Sequence, residues 1–389
     1  MSRRPLLGAA IIVKNEAEHL DRSLRSLATV CDEVVVVDTG STDHTPEVAR
    51  RHGANLLFRP WDGDFSAARN RALEAVQAQW VLYIDADEEV QPLDVAAFHA
   101  QLVSADGLVG FTVRFAAHVG WTPYWEYRIW RNRPDIRFRN RIHETHISDL
   151  RRIMRDEGAR IERSLMALQH YGYEGDQTTK HLRNLPMLQQ QVIDSPRRVY
   201  LWNHLGRVYD GLGQPLEAEI AWQRGIDVVR ADGLQEEVDI LVYGSLALFL
   251  IRNGRDAGEL IAEGLALDPD HHTLVLAAAR QEASNGNFEA AIGHLRALIA
   301  TGEAPVDHPV LAYDTAIFGL WPQQLLGESL FELGRFDEAA AAFRAALEAG
   351  APAREVMTKL SVCESLARRK TVSADGTRTS SGNKALGDE

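Results

Sequence analysis

The stretch Trp80–Val90, WVLYIDADEEV, passes from five apolar or aromatic residues straight into four carboxylates within five positions: Asp85, Asp87, Glu88 and Glu89. A short apolar run of this kind reads as a strand covered on both faces. Like charges crowded at its end raise one another's pKa unless cations face them. What lies opposite them decides how the segment is read.

Upstream of it, LLGAAIIV (6–13), EVVVVD (33–38) and ANLLFR (54–59) are three further strands. Leu20, Leu24 and Leu27 recur at helical spacing between the first two. Thr45-Pro46 opens the next helix as N-cap and first-turn proline, and Gly53 closes it. SAARNRALEAVQAQ (66–79) is a helix leading into the strand at 80–84. Strand–helix alternation predicts an α/β domain with a Rossmann-like, mostly parallel sheet and right-handed crossovers. From Gly107 the rhythm changes, and GLVGFTVRF and WEYRIWR read as strands with no helix between them.

Beyond Pro196 the chain becomes rich in alanine and leucine, punctuated by glycine. Frames of about 34 residues, the tetratricopeptide period, start at Val199, Val238, His272 and Leu320. The first carries Gly206, Ala218 and Trp222; the fourth carries Gly327, Ala339 and Phe343 at the same offsets. Small residues there let paired helices approach, and the aromatic fills the gap. The expected organisation is an α/β domain over 1–175, a helical linker over 176–198, an all-α tetratricopeptide-like solenoid over 199–367, and a polar tail over 368–389 with little to bury.

Composition narrows the function. A net charge of -13 argues against a nucleic-acid binder or an anionic-membrane anchor. Cys31 and Cys363 cannot build a disulfide framework or a zinc site, which fits a reducing compartment. The N-terminal apolar run is short and lacks a cleavage site, and no run approaches the ~20 apolar residues that span a bilayer. A cytoplasmic protein is expected.

The chain has three D-x-D spacings. Asp268-Pro269-Asp270 sits in a repeat turn, where these are ordinary turn residues. Asp85-Ala86-Asp87 follows a buried strand, so it emerges at the carboxyl edge of the sheet, where open α/β folds bind ligands. Asp38 ends another strand at the same edge. Three carboxylates converging there call for a cation, and hard oxygen ligands suit Mg²⁺ or Mn²⁺, which completes its shell with water and phosphate oxygens.

In order, IIVKNEAEHLDRSLRSL, VVVVDTGSTDHT, RPWDGDFSAARNRAL, WVLYIDADEEV and RIHE resemble the family 2 glycosyltransferases of the GT-A fold, in the branch that carries tetratricopeptide repeats. The resemblance implies a metal-dependent, inverting transfer of sugar from a nucleoside-diphosphate donor, with a UDP-sugar favoured, to a glycan, peptide or small molecule. It implies that Asp38 contacts base or ribose, that Asp85 lies near ribose and metal, and that Asp87 is the principal metal ligand. His170, in QHYGY, matches a late metal-binding histidine or is a core or capping residue. Ile12, Lys14 and Glu16 line the nucleotide pocket, Glu16 alternatively being a helix-start charge. Arg69 and Asn70 reach phosphate or orient Asp85, with a plain surface arginine as the other reading of Arg69. Asp64 caps a helix or edges the nucleotide; Asp43 is a turn residue or a pocket residue.

On the acceptor side, residues 120–146 hold Trp121, Trp125, Trp130 and six arginines. Aromatic faces stack on sugars and guanidinium forks pair with phosphate or carboxylate. Inverting transfer needs a base, and Glu144 is the candidate, oriented by His143; a glutamate paired with Arg139 or Arg141 is the alternative. The rival to an enzyme is an inactive sugar-nucleotide-binding adaptor that works through its repeats. The repeats are expected to hold a protein partner or a second copy of the chain. A nucleotidyltransferase would need a glycine-rich loop after the first strand, and IIVKNEAEHL has none.

Overall fold

The computed structural model describes residues 4–117, 119–171, 178–302 and 310–379, with side chains as far as 369. It comprises two compact units, one reaching from the N-terminus to Val242 and including 310–312, the other formed by the remaining helices from Tyr243 onward.

The first unit begins with β1 (Leu7–Val13), α1 (Ala17–Leu27), β2 (Glu33–Asp38), α2 (Thr45–Arg51), β3 (Asn55–Phe58), α3 (Phe65–Ala75) and β4 (Trp80–Tyr83). The period-two alternation of β2 divides its valines between two cores. Val36 packs into the cluster holding Leu20, Leu24 and Leu27 of α1. Val35 and Val37 face the cluster holding Ala72 and Leu73 of α3. Both faces of the strand are therefore buried, which is why it reads as a continuous apolar run.

Next come β5 (Glu88–Val90), α4 (Val95–Val103), β6 (Leu108–Ala116), β7 (Tyr124–Arg131), α5 (Ile147–Glu157) and β8 (Arg160–His170). The eight strands form one sheet in the order β3-β2-β1-β4-β7-β6-β8-β5. β1 pairs in parallel with both β2 and β4, so the strand order reverses there and a crevice opens at the carboxyl ends of these strands. β7 enters antiparallel between β4 and β6. The sheet is therefore mixed, with four parallel and three antiparallel pairings among the described residues.

Three helices complete the unit: α6 (Thr178–Asp194), α7 (Val199–Gly211) and α8 (Pro215–Asp232). α9 (Leu241–Arg252) spans the boundary, followed by α10 (Gly258–Leu267), α11 (His272–Ser284), α12 (Phe288–Thr301), α13 (Leu320–Glu332), α14 (Phe336–Glu348) and α15 (Ala353–Thr379). In the second unit α10 packs on α11, α11 on α12, α12 on α13, α13 on α14 and α14 on α15, each on its sequence neighbour as in a solenoid. A Cβ at Gly327 would come within 2.7 Å of the Phe343 ring, and one at Gly206 would overlap the Trp222 indole. The glycine is what lets each aromatic close its helix pair. α15 runs past 367 to Thr379, where the sequence reading begins a tail. Among the described residues no helix is long and apolar enough to cross a membrane.

Candidate functional site

The crevice has two rims. At the first, Asp38 ends β2 and is 1% exposed. Its Oδ1 accepts from the backbone N–H groups of Gly40 and Ser41 at 2.7 and 2.8 Å, a bend that requires φ +112° at Gly40. Asn15, at φ 55°, ties this loop to the end of β1. Its N–H donates to Ser41 Oγ, and its Oδ1 accepts from the Thr42 N–H. Asp43 accepts from the backbone N–H groups of Thr45 and Ala17 and so serves the turn. Asp38 Oδ2 is buried without a partner. A buried carboxylate oxygen left open is costly, and it is the acceptor a bound hydroxyl or ring N–H would fill.

At the second rim the carboxylates meet protein cations. Arg69, on α3, is 7% exposed. Its Nη2 lies 2.9 Å from Asp85 Oδ1 and its Nε 2.5 Å from Glu144 Oε1, while Nη1 is buried without a partner. Arg128, on β7, forks onto both oxygens of Glu88 at 2.9 and 3.1 Å, and its Nε reaches Glu126 at 2.5 Å. Both guanidinium groups lie 4.2 Å from the Tyr83 ring centroid. Burial raises the Glu88 carboxyl while Arg128 pulls it down. Glu88 Oε2 also accepts from the Asp85 N–H at 2.9 Å, which fixes the turn between them. Arg22 takes Glu89 at 3.4 Å.

Asp87 has a separate partner. β5 pairs antiparallel with β8 in a register that sets Glu88 opposite His170. His170 Nε2 then lies 3.2 Å from Asp87 Oδ2, and its Nδ1 faces the Ala117 carbonyl at 3.1 Å. Burial works against both charges, yet the hydrogen bond and mutual attraction hold Asp87 below the usual carboxylate range and His170 above the usual imidazole value.

This corrects the expectation that three carboxylates converge on one ion. Asp38 is held by its own loop, Asp85 by Arg69 and Asp87 by His170. Among the described residues no three His, Cys, Asp or Glu side chains are grouped to hold a metal. The residues fit an ion only as a two-ligand seat, one carboxylate oxygen and one imidazole nitrogen, whose other positions come from water and substrate.

Glu144 sits in the loop after β7 and its side chain is 11% exposed. It is Arg-paired, but with Arg69 rather than Arg139 or Arg141. The Arg139–Thr145 bridge folds the loop back, and Arg139 bonds Asp149 of α5 instead. His143 does not bond the Glu144 carboxylate; its ring lies 4.1 Å from His204 and 5.2 Å from Tyr200 of α7. Burial among these groups, with Arg198 and Arg207 near, lowers His143 to about 3. It shapes the loop as a neutral ring.

The remaining candidates divide. Ile12, Arg69, Tyr83 and Phe138 line one small hollow at the crevice floor. Lys14 is exposed, and Glu16 pairs with His19 at 2.7 Å. Asp64 caps α3, accepting from the Ala67 N–H. Asn70 clasps the backbone N–H and C=O of Phe138. Of the arginines in 120–146, Arg128, Arg133 and Arg139 pair with carboxylates. Arg131 and Arg137 donate to backbone carbonyls. Trp130 is core, 1% exposed, and Arg163 covers Trp125 at 4.5 Å. The stretch is mainly structural, not the open aromatic and cationic acceptor platform expected. The sequence reading missed Tyr83 and Arg128. The one signal for them was that Glu88, in an apolar strand context, needed a cation.

Residues 9–158 match the family described as glycosyl transferase family 2, and residues 323–349 match the tetratricopeptide repeat. A TPR repeat-containing protein of Synechococcus elongatus is 38% identical over 215 residues, 51% of this chain and 53% of that protein. An uncharacterized glycosyltransferase of Rickettsia bellii is 40% identical over 84 residues, 22% of this chain and 28% of that protein. The chain thus spans about half the length of the first relative and less than a third of the second. Among solved structures, glucosyl-3-phosphoglycerate synthase from Mycobacterium tuberculosis, in complex with Mn²⁺ and UDP-glucose, is 18% identical. That likeness covers 47% of this chain and 77% of that one, with a TM-score of 0.36. Residues 9–158, which carry the reversed strand order and both rims, are thus similar to glycosyl transferase family 2, and residues 323–349 behind them to the tetratricopeptide repeat.

Proposed function

We propose that the protein transfers a sugar from a nucleoside-diphosphate donor to an acceptor hydroxyl, amine or thiol, with a divalent ion seated at Asp87 and His170. The observation that carries this reading is the pair of orphaned polar atoms on the rims: the acceptor Asp38 Oδ2 and the donor Arg69 Nη1. The first suits a ribose hydroxyl or a base N–H, the second a phosphate oxygen. An imidazole beside a carboxylate favours Mn²⁺ over Mg²⁺. When bound, the ion neutralises charge on the diphosphate.

Arg69 donates to the phosphate as negative charge grows on the leaving nucleoside diphosphate. Arg69 already engages Glu144 Oε1, so Glu144 Oε2 takes the proton from the acceptor as it attacks the anomeric carbon. The bond to the diphosphate oxygen breaks in the same step, giving inversion. The repeats supply a surface for a protein partner or a second copy of the chain.

The test is turnover of UDP-, GDP- and dTDP-sugars, scored by released nucleoside diphosphate with Mn²⁺ and with chelator. Ion-dependent release that disappears in Asp87→Ala supports the proposal; undiminished release in that variant removes it. Ion-dependent nucleotide binding without release from any donor would favour the adaptor.

A further inference from the structure

The loop that carries Glu144 is held from behind by helices that sequence assigns to the linker and repeats. Arg139 and Thr145 exchange two backbone hydrogen bonds at 3.0 Å, closing a tight loop. Within it Asn140 and His143 stand at φ 76° and 49°. Neither is glycine, so the loop persists only where its surroundings over-determine it.

Those surroundings are α3, α6 and α7. Ser66 Oγ donates to the Asn140 carbonyl at 2.6 Å, and the Phe65 N–H donates to the Arg141 carbonyl at 2.9 Å. Gln191 of α6, 5% exposed, uses both ends of its amide: Nε2 donates to Asn140 Oδ1 at 3.3 Å, and Oε1 accepts from the Arg141 N–H at 3.2 Å. Ile142 is buried against Leu188 and Val192 of α6 and Leu201 and Leu205 of α7. Arg198 Nη1 donates to the His143 carbonyl at 3.2 Å. The His204 ring lies tilted against His143 at 4.1 Å and against Tyr200 at 4.3 Å. Every residue from 140 to 143 is thus fixed by α3, α6 or α7, and the next residue is Glu144.

We propose that Gln191, Arg198 and His204 are positioning residues for Glu144, so that α6 and α7 form the back wall of the transfer site. The inference rests on Glu144 as the base. It adds that the catalytic module extends through the first helices behind the sheet. Their role is to keep Oε1 of Glu144 on Arg69 and the proton-accepting oxygen in place. A misplacement of about 1 Å in a reacting group costs about 100-fold in rate.

The experiment compares full-length wild type with His204→Ala, His204→Phe, Gln191→Leu and Glu144→Gln. The probes are Mn²⁺-UDP binding, UDP-glucose hydrolysis, and hydrogen exchange over 138–146 and 84–90. His204→Ala and Gln191→Leu should speed exchange in 138–146 but not in 84–90. They should lower kcat for hydrolysis about 10- to 100-fold with donor KM within about twofold. His204→Phe keeps an aromatic face on His143 and should restore both. Unchanged exchange in 138–146, or loss of Mn²⁺-UDP binding together with kcat, would overturn the inference. Exchange reads the loop whether or not UDP-glucose is turned over. Glu144→Gln separates the two layers: if it hydrolyses like wild type the base assignment fails, while an inactive Glu144→Gln beside a fully active His204→Ala fails the positioning alone.

Discussion

The rim at the end of β2 and the rim at the end of β4 both place aspartates at the sheet's carboxyl edge, yet they stabilise them by opposite means. Around Asp38 the partners are neutral: two backbone N–H groups take one oxygen and leave the other open. Around Asp85 and Glu88 the partners are buried guanidinium groups that both lie against Tyr83. The neutral rim presents an unfilled acceptor, which is the property of a recognition site. The ionic rim answers its carboxylates with guanidinium groups, although burial still pushes the Glu88 carboxyl up to about 7. The difference shows that a carboxylate cluster does not by itself imply a metal. Among the described residues, arginines face Asp85, Glu88 and Glu89, while Asp87 faces His170, the pair proposed above as the seat for an ion.

The two rims should differ most in rate. Glu144→Gln keeps the shape of the ionic rim but removes the base, and turnover should fall by about two to four decades in a steady-state assay while Mn²⁺-UDP binding persists. Next comes stability. Arg128→Leu leaves Glu88 buried without its cation, and chemical denaturation should show a loss of about 3–5 kcal/mol. The double variant Arg128→Met with Glu88→Gln should recover much of that, because neither member of the pair then leaves a buried charge without its partner.

The neutral rim should respond more gently. Asp38→Asn still offers an oxygen to the Gly40 and Ser41 N–H groups but replaces the open acceptor with a donor. UDP affinity should weaken about 10- to 100-fold by calorimetry, the value of a hydrogen bond to a charged group, with the melting temperature nearly unchanged.

The smallest effect is on pH dependence. Burial holds His143 and His146 at about 3 and His204 well below its ordinary value. All three therefore stay neutral when folded and take up protons when unfolded. With more protons bound by the unfolded chain, stability falls as pH drops below the ordinary histidine value of about 6.5. Replacing His204 with Phe should flatten that slope by about 1 kcal/mol per pH unit between pH 6 and 5.

Much of the fold was legible because β1, β2 and β4 are buried on both faces, so their apolar runs ended where the strands do. The glycine–aromatic pairs Gly206–Trp222 and Gly327–Phe343 were legible as spacing, since a small residue opposite a large one is a packing statement. Arg128 beside Tyr83 was not. It depends on β7 entering antiparallel next to β4, with Leu82 opposite Ile129, and no local pattern encodes that register. The reach of Arg69 to Glu144 spans 75 positions and was equally invisible. The arginines of 120–146 looked like an acceptor platform because composition cannot tell a solvent-facing guanidinium from one already bonded within the chain.

The Asp87–His170 pair is proposed to seat a divalent ion that holds the donor's diphosphate. Calorimetric titration of UDP into the full chain, with Mn²⁺ and then with chelator, tests it directly in wild type and Asp87→Ala. The account predicts binding in wild type that needs Mn²⁺ and disappears in the variant; equal UDP affinity with chelator, or in Asp87→Ala, would contradict it.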